Sequence, residues 1–236
     1  MRTSRSASWP SGRSAVDRPG AAAPPNGRHA GWPARVGPLR VPAGEVALRP
    51  LRLFDGGQWS RLRVRDVHHL QQWEPSAPGT WEDRHAVLNW PSHYLALRSV
   101  ARRGLALPFA ITLDGEFCGQ ITVGNIVRGA LLSAWVGYWV ASNAIGGGVA
   151  TAAAALCVDH CFGPVGLHRV EATVRPENMA SRRVLDKLGF RQEGLHLRYL
   201  DVAGSWRDHF VYAITEEDVS DGMVTRLIRA GLAARA

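Results

Sequence analysis

The stretch GYWVASNAIGGGVATAA, residues 137–153, sets Gly146, Gly147 and Gly148 between a strand-like run and a helix-like one. The first N–H groups of a helix have no intrahelical partners, and the macrodipole adds partial positive charge there. Glycines at such a junction let an anion approach without Cβ clashes, so the chemistry on offer is phosphate binding. The same residues suit a tight turn between packed elements, and alone they leave the two readings balanced. The pattern is not G-x-G-x-x-G, which disfavours a dinucleotide site. It also lacks the Gly-Lys-Ser/Thr of a P-loop.

Other residues could do chemistry. PENMASRRVLDKLGF (176–190) opens with a capping-type Asn178, carries Ser181 in its first turn and ends at Gly189. Glu171 lies in a strand-like run before it, on the same face as Arg169 and Arg175, which could equally hold it as a structural carboxylate. Cys157, His160 and Cys161 have i, i+3, i+4 spacing, but no second Cys/His pair completes a metal set. They read as packed residues on a helix's buried side, and no metal is expected. Cys118 has no activating neighbour in sequence, and Trp206 reads as a packing residue.

The elements that must position these groups follow from periodicity. A strand is expected over 46–53, a helix over 58–72, a loop at WEPSAPGTW (73–81), and a helix over 82–103 split by Pro91. FAITLDGEFCGQITVGNI predicts a hairpin turning at Asp114-Gly115. A strand over 131–140, a helix over 148–161 and a strand over 167–174 make a βαβ unit with parallel strands. The helix shows apolar positions 149, 152, 153, 156, 157 and 161, one face. The Asn178 helix, two strands and a closing helix from about residue 216 complete a mixed α/β layer fold.

Charge is uneven. Residues 1–40 hold seven arginines and one acid, and so carry +6 of the +8 net charge over 236 residues. Residues 1–38 show no apolar period and are expected to be a disordered basic leader, with one domain over 39–236. Nucleic-acid contact by the leader is weighed against a leader without function, and the latter is preferred. Three cysteines suit a reducing compartment. No apolar run approaches the roughly 20 residues of a membrane span. The expected location is the cytoplasm, with no membrane partner.

Taken together, GYWVASNAIGGGVATAA and LHRVEATVRPENMASRRVLDKLGFRQEG resemble the GNAT acyl-CoA-dependent N-acetyltransferases, in the RimJ/RimL branch that acetylates N-terminal alanines of ribosomal proteins. The resemblance runs over 46–215. It implies a mostly antiparallel central sheet with a parallel βαβ splay, flanked by helices. It also implies an acetyl-CoA site on Trp139, Val140, Ile145, Gly146, Gly147, Gly148, Val149, Ala150, Thr151, Asn178 and Ser181. Ile145 departs from the family pattern, where Arg or Gln stands, so the cradle must work through its backbone. The backbone N–H near Val140 is the implied oxyanion donor, and Ser181 the proton donor to the leaving thiolate.

The implied reaction is attack of a neutral amine on a thioester. A protein α-amine, with a pKa of about 7.7–8, needs only a weak base or a water relay. Glu171 is the base candidate, Tyr199 an alternative proton donor, and Glu74 a group to bind the incoming terminus. The preferred acceptor is a protein N-terminus, ribosomal by resemblance, acetylated in a ternary complex by a monomer or homodimer. The rivals are a small-amine acetyltransferase, acting on an antibiotic or polyamine, and a non-catalytic acyl-CoA-binding protein.

Overall fold

Asp114 and Gly115 turn the chain with φ of 49° and 86°, the two positive values a type I′ hairpin needs. The expected hairpin therefore forms where the sequence placed it. A computed structural model describes residues 31–236. Its elements are β1 (Val36–Val41), β2 (Gly44–Pro50), α1 (Gly56–Arg65), α2 (Val67–Leu70), α3 (Trp81–Arg84) and α4 (Trp90–Arg102). They continue as β3 (Ala106–Leu113), β4 (Glu116–Val127), β5 (Ser133–Val140), α5 (Val149–Phe162), β6 (Arg169–Val174) and α6 (Met179–Leu188). The chain ends with β7 (Arg191–Val202), β8 (Ser205–Thr215), α7 (Met223–Arg229) and β9 (Ala234–Arg235).

Among the described residues the strands form a nine-stranded sheet in the order β7-β8-β6-β5-β4-β3-β2-β1-β9. The β5–β6 pair is parallel, as the βαβ reading requires, while the other pairs are antiparallel. Helices cover both faces. On one face α5, α6 and α7 pack over a core that includes Val46, Phe109, Ile121, Val170 and Ile214. On the other, Trp59 and Leu62 of α1 and Trp90 of α4 pack with Ala110, Phe117 and Ala141.

Three expectations need correction. The part of the leader over 1–30 lies outside the described residues, but 31–38 do not form a structureless extension. Trp32 packs edge-on to Phe109 at 5.1 Å, His160 bonds the Gly31 carbonyl at 2.7 Å, and β1 begins at Val36. The Gly-Pro in VGPLRV hid this strand. Proline is tolerated close to a sheet edge, and beyond β1 lies only the two-residue β9. Second, α5 is buried nearly all round rather than along one stripe. Asp159 accepts the backbone N–H groups of Met223 (2.5 Å) and Val224 (2.9 Å), which docks α7 against its outer side. Third, Trp206 is 66% exposed and does not pack as expected. Pro91 does end the preceding segment, but as the opening turn of α4, where its missing N–H costs nothing.

Candidate active site

The site exists because two strands part. β5 and β6 pair only over Ser133–Trp135 and Arg169–Glu171. Past that point β5 stays with β4, while β6 continues beside β8. Ala141 N–H donates to the Cys118 carbonyl at 2.8 Å, so the next pair, Val140 and Gly119, is the non-hydrogen-bonded kind. The Val140 N–H therefore turns away from β4 toward the gap that β6 has left. Among the described residues no neighbouring strand pairs with it on that side, and it is aimed into the splay.

The three glycines do three different jobs. Gly148 caps α5 with φ of 88°, and Gly146 has φ of 83° with open space where a Cβ would stand. Gly147 has no such freedom: a Cβ there would come within 2.4 Å of the Ala43 Cβ. Its carbonyl accepts from Ala43 N–H at 3.2 Å, which fastens the turn to the β1–β2 connection. The packing turn and the open, glycine-flanked helix start that an anion cradle needs are thus both present, on neighbouring residues. Asp66, nearly buried at the end of α1, anchors the chain before the turn by accepting Ser142 N–H and Oγ–H, each at 2.7 Å. Hydrogen bonds from the Arg65 guanidinium hold its carboxyl well below the usual carboxylate range, helped by those from Ser142.

Opposite the turn, α6 presents its N-terminal half. Asn178 Oδ1 caps the helix by accepting Ser181 N–H at 3.0 Å, while Gly189 ends it with φ of 77°. Full burial of Leu185 and Leu188 contributes roughly 1.5–3 kcal/mol each and holds the helix on the sheet. Ser181 Oγ lies 3.0 Å from the Tyr138 hydroxyl. Burial pushes the Tyr138 phenol up to about 12. It stays protonated, and a hydroxyl pair of this kind can pass a proton but not hold a charge.

Two clefts meet here. One, of about 310 Å³, runs from Gly146 and Gly148 past Ser181 to Glu74. Arg183 and Lys187 of α6 face it, a cationic pair that sequence reading missed; their spacing of four residues puts them on one helix face. The other cleft, of about 160 Å³, lies within the splay beside Thr173 and His209. Trp73, Tyr138, Asn178 and Ser181 line both.

Glu74 sits at the cleft mouth. The buried guanidinium of Arg63 grips it with Nη1–Oε1 and Nη2–Oε2 both at 2.5 Å. Arg63 is sandwiched near Trp81 (4.7 Å) and Trp139 (5.0 Å) and also donates to His85 Nε2 at 2.9 Å. An arginine only donates, so that nitrogen must be unprotonated. Burial, then the Arg63 charge, lowers the His85 pKa to about 4. The 73–81 loop is also tied to the β7–β8 hairpin: Ser76 N–H donates to the Asp201 carbonyl at 2.8 Å and Gly204 N–H to Ser76 Oγ at 3.1 Å.

Most expected site residues gather in these clefts: Trp139, Val140, Ile145, Gly146, Gly148, Val149, Ala150, Thr151, Asn178, Ser181 and Glu74. Gly147 supports the turn without lining them. Glu171 is not gathered either. Arg169 Nε holds its Oε1 at 2.6 Å and binds Glu193 as well, which is the structural role weighed against the base. Tyr199 is half-exposed on β7, lies outside both clefts and packs tilted on His196 and edge-on to His209. Cys157 and Cys161 are buried packing residues, and among the described residues no group of three His, Cys, Asp or Glu could hold a metal ion.

The acetyltransferase (GNAT) domain model matches residues 45–191, more than half of the chain. The chain belongs to the GNAT acetyltransferase family. This GNAT protein is 58% identical to Mycobacterium smegmatis RimJ, whose structure is a complex with CoA-disulfide; the match has a TM-score of 0.87 and covers 88% of this chain and 100% of that one. It is 26% identical over 200 residues to the Escherichia coli [ribosomal protein uS5]-alanine N-acetyltransferase, covering 81% of this chain and 98% of that protein. YjcK of Bacillus subtilis is 41% identical over 105 residues, and that match spans 58% of its length. The resemblance to the RimJ/RimL branch and the expected mixed sheet are borne out. The GNAT domain here is an N-acetyltransferase that uses acetyl-CoA. Its cleft suits that co-substrate: N–H groups are bared where Cβ atoms are missing, and Arg183 and Lys187 set positive charge opposite.

Proposed function

We propose that the protein acetylates the α-amine of a protein N-terminus, with a ribosomal protein as acceptor. The observation that carries this reading is the acceptor end of the cleft. There a single carboxylate, Glu74, is pinned by the buried Arg63 beside Trp73. One fixed acid with an aromatic neighbour suits the ammonium of one chain end. A polyamine would need several acids, whereas Arg175, Arg183 and Lys187 surround this region. The similarity to RimJ and to the uS5-alanine N-acetyltransferase supports the same reading.

Bound acetyl-CoA supplies an acetyl thioester. The chain's part is to place and polarise. The glycine turn, with Arg183 and Lys187, holds the phosphates. Val140 N–H faces the region where carbonyl oxygen gains charge. Ser181, backed by Tyr138, donates a proton toward the leaving sulfur. Transfer is direct, within a ternary complex. Cys118 is buried and its thiol is pushed up to about 12, so it is no acyl carrier. The catalytic domain includes residues 31–38, since Gly31 is hydrogen-bonded and Trp32 packed against it, and acts in the cytoplasm. Among the described residues no helix is long and apolar enough to cross a membrane.

The test is acetyl transfer to alanine- and serine-starting peptides and to spermidine in parallel, with both substrates varied. Turnover of the peptides with intersecting initial-rate lines is expected. Turnover of spermidine alone sinks the acceptor reading, and parallel lines sink direct transfer.

A further inference from the structure

Glu171 and Tyr199, the two groups the sequence suggested for moving the amine's proton, both lie outside the clefts. The splay holds another titratable side chain. His209 of β8 is 3% exposed and lines the small cleft with Ser181, Asn178 and Tyr138. Its neighbour in sequence, Phe210, packs on the α5 side of the sheet. Strand alternation therefore turns His209 to the opposite side, the one that carries Trp73 and Arg175.

Its tautomer follows from its one hydrogen-bond partner among the described residues. Nδ1 lies 3.0 Å from the Arg207 carbonyl oxygen, which can only accept, so Nδ1 carries the proton. Nε2 then offers a lone pair, and among the described residues no hydrogen bond occupies it. We propose that His209 is the catalytic proton acceptor, taking the acceptor amine's proton on Nε2 within the splay.

The step balances. The acceptor enters as an ammonium and gives one proton to Nε2, so the imidazole becomes imidazolium. The free amine's lone pair forms the N–C bond to the thioester carbonyl. The C–S bond then breaks with its electron pair on sulfur. The second amine proton reaches that sulfur through the Ser181 hydroxyl, and imidazolium releases its proton to solvent. The sum is ammonium plus thioester giving amide, thiol and one proton. This assignment needs an amine acceptor but not any particular one.

The surroundings keep the resting imidazole neutral. Burial lowers its pKa below the ordinary histidine value. Arg207 carbonyl and the carboxylates of Glu177 and Asp208 work the other way, while Arg175 adds to the lowering. From β7, the Tyr199 ring stands 5.6 Å away and His196 pairs with His209 across the strands. The cleft-facing Ser181, Asn178 and Thr173 bring no charge.

The experiment compares the wild type with His209→Gln and His209→Ala, using whichever of an alanine-starting peptide or spermidine the wild type turns over. At pH 7.5, kcat is expected to fall about 100-fold in both variants, with coenzyme affinity by calorimetry unchanged. The wild-type kcat should fall as pH drops below the imidazole pKa, and His209→Gln should lose that limb. Added imidazole should restore part of the His209→Ala rate. Independently of turnover, the amine should shift the His209 Nε2 resonance in NMR spectra of the coenzyme-free protein. A folded His209→Gln within threefold of wild type, with the acid limb intact, overturns the proposal. So does an Nε2 resonance that the amine leaves unmoved.

Discussion

The hydroxyls of Tyr138 and Ser181 stand 3.0 Å apart, joining β5 to α6 across the gap where β5 and β6 separate. Both residues line both clefts, and the proposed proton route to the leaving sulfur runs through the pair. Ser181→Ala should lower kcat about 100-fold while leaving the coenzyme dissociation constant nearly unchanged. Tyr138→Phe should cost less, since Ser181 keeps its own proton. Steady-state kinetics beside calorimetry measure both; equal loss of coenzyme binding and kcat would make Ser181 a packing residue.

The cradle predicts a second pattern. Gly148→Asp places a side chain and a negative charge where φ is 88° and where the proposed cradle holds the phosphates, so coenzyme binding should vanish in a folded protein. Arg183→Ala and Lys187→Ala should each weaken binding by about 1.5–3 kcal/mol, or roughly tenfold or more, with a smaller effect at high salt. Calorimetry at two salt concentrations reads this. Unchanged affinity in the double variant would place the phosphates away from α6.

Glu74→Gln should raise KM for the peptide about tenfold, the effect of about 1.4 kcal/mol, and leave kcat nearly constant. Its carboxylate is held by Arg63 at 2.5 Å, and the proposed role gives it the acceptor's ammonium rather than the reacting atoms. A fall in kcat with an unchanged KM would move Glu74 from recognition to chemistry.

Acid should loosen the site in two stages. The folded His85 pKa, about 4, lies below its unfolded value of about 6.5, so the unfolded chain binds more protons between those pH values. Stability is full above about pH 6.5 and declines as pH falls toward 4. Asp66 acts in the same direction but lower. Its folded pKa is depressed, so its contribution is present above about 3.9 and is lost as pH drops further. Thermal melts from pH 8 to 3 should show both losses, and His85→Phe should flatten the first. A melting temperature independent of pH between 6.5 and 4.5 contradicts the neutral His85.

Truncation separates the two parts of the expected leader. A chain starting at residue 31 should match the full chain in melting temperature and peptide turnover. A chain starting at 39 should melt lower, because it loses Trp32 from Phe109, the Gly31 carbonyl from His160 and the first half of β1. Equal stability of the two truncations would show that 31–38 add nothing.

Local sequence alone determined a good deal. Asp114-Gly115 marked the hairpin turn, Asn178 the cap of α6 and Gly189 its end; each depends on residues within a few positions. The βαβ order likewise dictated a parallel β5–β6 pair. Tertiary structure decided which titratable side chains reach the splay. Glu171 stood open along the strand between a base and a partner of Arg169 or Arg175; it pairs with Arg169 and, through it, is tied to Glu193 on another strand. His209 and Tyr138, which periodicity marks as ordinary strand residues, end up lining the splay. Strand separation is a long-range competition, with β4 retaining β5 and β8 retaining β6, and no local pattern reports its outcome. Which backbone N–H is orphaned, and which side chain faces it, follows from that competition alone.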